Sequence, residues 1–127
     1  MANPTKTDLD GRPLVLRADL YDNTKTIVAG QGVLAAGSVL GIITTGGKLQ
    51  LTDKALSTGC EVARYVLTKD VDTTADVVGA PVLKMGKVNA AKLIFGGTSA
   101  IADHITQLAD NGIAAVIPDA SLENLDN

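Results

Sequence analysis

Thr26-Ile27-Val28-Ala29-Gly30-Gln31-Gly32-Val33-Leu34-Ala35-Ala36-Gly37-Ser38-Val39-Leu40-Gly41-Ile42-Ile43-Thr44 is a run of short apolar pieces cut by glycines. A helix would lose about 1 kcal/mol at each interior glycine relative to alanine. Brief β-branched pieces between turn residues suit short strands joined by tight turns instead. Thr45-Gly46-Gly47-Lys48, followed by Leu49-Gln50-Leu51, reads as a hairpin loop and its return strand, because glycines supply the positive φ that compact hairpin turns require. The same glycines do not form a phosphate cradle: neither Gly-x-x-x-x-Gly-Lys-Ser/Thr nor Gly-x-Gly-x-x-Gly spacing occurs here.

Outward from this stretch the pattern persists. Glu61 to Val71 is rich in β-branched residues and runs into the turn formers Asp70-Val71-Asp72. Val77 to Val88 and Ala90 to Phe95 are apolar stretches broken by Gly79, Pro81 and Gly86. A proline cannot donate to a sheet ladder, so Pro81 is expected at an edge or bulge. One short helix is expected after Thr98 or Ser99 as its cap, with Ile101, Ile105 and Leu108 on one face and Asn111-Gly112 as its stop. Ile113 to Ile117, closed by Pro118, is the expected last strand. The predicted fold class is mainly β with one short helix, a small barrel-like domain.

Three regions follow from composition. Residues 1–25 hold Lys6, Arg12, Arg17 and Lys25 against Asp8, Asp10, Asp19 and Asp22, and read as an extended arm. Residues 26–118 are the β-rich domain. Residues 119–127 are an acidic tail with Asp119, Glu123 and Asp126 and no Lys or Arg. Within the arm, Leu14-Val15-Leu16 stands between Pro13 and Arg17. An apolar piece directly behind a proline fits a sheet edge or a strand added to another chain.

Several function classes lose support. The chain of 127 residues is 46% hydrophobic, yet its aromatics are only Tyr21, Tyr65 and Phe95. Three scattered rings offer neither the walls of a drug-sized pocket nor stacking platforms for single-stranded nucleic acid. The net charge of −3 opposes phosphate binding, so no nucleic-acid partner is expected. No apolar run approaches the ~20 residues of a membrane span, and no membrane partner is expected. Cys60 is the single cysteine, which precludes an internal disulfide and suits synthesis in a reducing cytoplasm.

Catalytic, metal and cofactor residues are likewise not expected. His104, the single histidine, is placed on the helix flank or facing solvent. Ser99 and Asp103 lie near it in sequence, but Ser99 is better used as a cap. Asp70, Asp72 and Asp76 lack the glycine and terminal glutamate of a helix-loop-helix calcium site and read as a solvated turn. The rival reading is a small β-sandwich carrier or ligand-binding domain with a modified or functional Lys84 in Lys84-Met85-Gly86-Lys87. A strand lysine reaching solvent accounts for the same residues.

Read in order, Gly37-Ser38-Val39-Leu40-Gly41-Ile42-Ile43-Thr44, Ala63 to Asp72, and Pro81-Val82-Leu83-Lys84-Met85-Gly86-Lys87-Val88-Asn89-Ala90 resemble segments of the lambda-type phage head decoration proteins. The likeness extends over about residues 26–117 and includes the helix and the closing strand. It implies a β-tulip fold, a homotrimer, and attachment to the outer surface of the capsid at local three-fold positions. There such proteins act as cement, holding major capsid proteins against internal DNA pressure. The resemblance also implies that the N-terminal arm makes the capsid contact, here through Arg12, Pro13, Leu14, Val15, Leu16 and Arg17.

Overall fold

The computed structural model describes residues 13–116. Its strands are β1 (Val15–Asp22), β2 (Thr26–Ile27), β3 (Val33–Leu34), β4 (Val39–Ile42), β5 (Leu49–Leu51), β6 (Tyr65–Leu67), β7 (Val71–Asp72), β8 (Val77–Val78), β9 (Val82–Asn89) and β10 (Ile113–Val116). Among the described residues one α-helix, α1 (Ile101–Asp110), precedes β10. The main sheet runs β1-β9-β6-β4-β5-β2-β8 and curls into a half-barrel, with β10 added to β9 off that path. β3 and β7 form a separate two-stranded ribbon. The mainly β, one-helix, barrel-like architecture expected from the sequence is the one observed.

Alternation along the strands builds two cores from one sheet. Leu40, Tyr65, Leu67 and Val82 point into one, with Ile27, Leu34 and Leu49. Their neighbours Val39, Val66 and Leu83 point to the opposite face, against Val88, Leu108 and Ile113. Successive side chains on a strand face opposite ways, so central strands with both faces covered read as unbroken apolar runs. That is why Val39-Leu40 and Tyr65-Val66-Leu67 show no polar alternation. The first core lies within the curl of the sheet. The second is closed by α1 and by Leu14, Val15, Leu93 and Phe95. Full burial of one such aliphatic side chain contributes roughly 1.5–3 kcal/mol.

The Gly46-Gly47 loop joins β4 to β5 as expected, with φ values of 95° and 77° and Ile43 N–H donating to the Lys48 carbonyl at 2.8 Å. Three local expectations change. The segment Asp70-Val71-Asp72 is not all turn: Val71–Asp72 is β7, paired with β3, and the turn follows it. Pro81 lies immediately before β9, a central strand, where its missing N–H interrupts no ladder. Its carbonyl accepts from Thr68 N and Oγ1 at 2.9 and 2.8 Å. The cap of α1 is Ala100, not Thr98 or Ser99, and the Asp103 carboxylate reaches back to accept Ala100 N–H at 2.8 Å. Gly112, at φ 94°, ends the helix as expected. Among the described residues no helix is long and apolar enough to cross a membrane.

Candidate functional site

The N-terminal segment enters the domain along β1, antiparallel to β9 from Val15↔Val88 to Asp22↔Val82. β1 is the edge of the sheet, and among the described residues no strand covers its outer side. Leu14 is half-buried, its carbonyl accepts Asn89 N–H at 2.8 Å, and Leu14 and Val15 both pack on the second core. Leu16 is half-buried, while Pro13 and Arg17 are exposed, Arg17 pairing with Asp19 at 3.1 Å. Arg12 lies outside the described residues, as does the acidic tail 119–127. The expected arm over residues 1–25 is therefore placed in part: 1–12 is outside the description, and 15–22 is the first strand of the domain.

An exposed strand edge offers unpaired N–H and C=O groups to another polypeptide. β1 also carries exposed apolar side chains, Leu20 at 47% and Tyr21 at 58%, and Leu20 stands opposite exposed Met85 of β9. Register irregularities between Val15 and Arg17, and again between Ala18 and Tyr21, bend the strand locally. Such bulges limit indiscriminate edge pairing. Among the described residues the edge is thus open, partly apolar and shaped.

The polar groups that could carry chemistry are engaged in architecture. His104 is buried, not on the surface, and its ring stacks on Phe95 with centroids 5.1 Å apart. Gln107 Oε1 accepts Ala63 N–H at 2.8 Å and meets His104 Nδ1 at 2.8 Å. An amide oxygen only accepts, so Nδ1 carries the hydrogen. Ser99 Oγ accepts Lys54 N–H at 2.7 Å and lies 3.0 Å from His104 Nε2, to which it can donate. The network ties α1 to the loops at Lys54 and Ala63. The i, i+4, i+7 pattern of apolar residues missed it, because His104 occupies the helix's inward face beside Leu108. Asp103, the nearby acid, turns away to the Ala100 N–H and to Lys54 Nζ at 3.4 Å, so no Ser-His-Asp arrangement forms.

The Asp70, Asp72 and Asp76 cluster disperses into separate caps. Asp70 accepts Ala36 N–H, Asp72 accepts Thr74 N–H and hydroxyl, and Asp76 accepts Ala29 N–H and Lys48 Nζ. The Thr74 hydroxyl and amide lower the Asp72 pKa, and the Lys48 hydrogen bond does the same for Asp76. Among the described residues no acid, histidine or cysteine group is clustered to hold a metal. Cys60 is buried, and burial pushes its thiol pKa up, which makes it a poor nucleophile. Lys84 is exposed in the middle of the eight-residue strand β9. A carrier lysine needs a protruding turn, which this position does not provide.

Fold and surface together define a structural β domain with an open edge strand fed by its N-terminal segment. A family model described as Bacteriophage lambda head decoration protein D matches residues 9–113, and the chain belongs to that family of structural head proteins. A search of the curated proteins found no match.

Proposed function

We propose that this chain is a capsid cement protein that binds the major capsid protein on the outer surface of the phage head. It does so as a homotrimer at local three-fold positions, and stiffens the shell against internal DNA pressure. It is made in the host cytoplasm and ends in the virion. The observation that carries this reading is membership of the head decoration family over residues 9–113. The open outer edge of β1 supplies the means.

Residues 12–17 lead into that edge, and a capsid strand that pairs with the residues before Pro13 and continues onto the outer side of β1 gains main-chain hydrogen bonds along both. Fixing the backbone of a binding arm costs roughly 1–2 kcal/mol of entropy for each residue held, so a single contact is weak. Three such segments on one trimer raise the effective concentration and turn weak contacts into lasting attachment.

The test is deletion of residues 1–12. A longer deletion, through Arg17, would strip Leu14 and Val15 from the second core and confuse loss of binding with loss of folding. The shortened protein is expected to keep the circular dichroism spectrum and light-scattering mass of the full chain. Its binding to undecorated expanded heads should fall at least about tenfold, as loss of several main-chain hydrogen bonds requires. Undiminished decoration would refute the arm mechanism, and a full-chain mass other than three times 13.0 kDa would refute the trimer.

A further inference from the structure

β9 changes partners partway along one side. It pairs with β6 at Val82 and Leu83, and with β10 from Gly86 to Asn89. Lys84 and Met85 fall between, where β6 diverges and β10 has not begun. The seam opens as a cleft of about 190 Å³ lined by Arg64, Tyr65, Lys84 and Asn111.

Its lining is cationic and rich in donors. Arg64 and Lys84 are exposed, and among the described residues neither forms an ion pair. Arg64 makes one long contact, Nη1 to Asn111 Oδ1 at 3.4 Å. Asn111 is held by its own amide, which donates to Gln107 O at 2.8 Å and Ala63 O at 3.4 Å. Tyr65, which lines the cleft, is itself buried. Asp22, whose carboxylate feels the charge of Lys84, is committed to Thr24. A guanidinium and an ammonium around one small opening match a carboxylate.

We infer that this cleft is a carboxylate site that takes the acidic segment 119–127 of this chain. Charge complementarity is the first argument: that segment holds Asp119, Glu123 and Asp126 and no basic residue. Reach is the second. The chain leaves the described fold at Val116, opposite Asn89 on β9. Lys84 is about 17 Å back along that strand at roughly 3.3 Å per residue. Residues 117–127 span up to about 36 Å when extended, enough to double back within one subunit. The inference does not depend on capsid binding, and its test uses the isolated full chain.

NMR spectra of the full chain and of a triple variant (Asp119→Asn, Glu123→Gln, Asp126→Asn) are compared at the Arg64 Nε–Hε and Asn111 side-chain amide signals. Neutralising the tail should shift both signals, and raising salt from roughly 50 to roughly 500 mM should shift them in the same direction. A second variant, Arg64→Gln with Lys84→Gln, should lower docked-tail occupancy about fivefold, read as faster internal motion at residues 119–127. The proposal is overturned if the triple variant leaves the cleft signals in place, or if the double variant leaves tail motion unchanged. It is also overturned if added acetate perturbs the cleft while tail neutralisation does not, since another carboxylate is then the occupant.

Discussion

Replacing Gly86 with alanine tests whether β1 is held to the domain as tightly as its ladder implies. Gly86 lies opposite Ala18 in the β1–β9 pairing and has φ 154°, at the margin of the region open to glycine. A Cβ at this position would sit 2.2 Å from the Arg17 carbonyl oxygen and 3.3 Å from Ala18 Cα. Both contacts are backbone, so no side chain can swing away. Relief requires β1 to move outward by roughly 1 Å, enough to weaken hydrogen bonds near Arg17 and Ala18. Backbone strain of about 1–3 kcal/mol and one or two weakened hydrogen bonds at about 1 kcal/mol each give a loss of about 2–5 kcal/mol. In urea, at a slope of about 1.5–2 kcal/mol per molar, the midpoint falls by about 1–3 M. Amide exchange should quicken along Arg17–Tyr21 while α1 keeps its protection. An unchanged midpoint, with β1 amides still protected, would refute the claim that backbone contact at Gly86 fixes this strand.

Two further outcomes follow from the same geometry. His104→Ala removes a buried ring from its stack on Phe95 and strips partners from Ser99 and Gln107. It should cost about 2–4 kcal/mol in chemical denaturation yet leave head decoration intact well below the melting temperature; loss of decoration by a fully folded variant would contradict the structural role. Hydrogen bonds lower the carboxylate pKa values of Asp22, Asp72, Asp76 and Asp103 below 3.8 in the folded chain. Because the folded values are depressed, their stabilisation is present above the unfolded pKa and lost as pH falls through the folded ones. The urea midpoint should therefore decline on acidification from about pH 4; a flat profile there would show these caps contribute nothing.

Much of the fold was legible in one dimension. Glycine-cut, β-branched pieces excluded long helices before any contact was known. Gly46-Gly47 announced a hairpin, and the i, i+4, i+7 set at Ile101, Ile105 and Leu108 located α1 with its stop at Gly112. The ordered likeness of three segments to head decoration proteins also pointed to the family matched over residues 9–113. What was not legible depends on long-range partners. Nothing local distinguishes a free Leu14-Val15-Leu16 from one docked on β9, since the deciding contact, Asn89 N–H to the Leu14 carbonyl, spans most of the chain.

The sequence by itself determined the element types, the aliphatic character of the cores and the absence of aromatic platforms, because these are fixed by composition and by spacing between near neighbours. Only the tertiary structure decided which strand ends the sheet, that His104 is enclosed between Ser99 and Gln107, and that Arg64 and Lys84 meet where β9 exchanges β6 for β10. Those outcomes turn on which distant segments share hydrogen bonds and exclude water together. Such pairings are properties of the closed fold and leave no periodic trace in the order of residues.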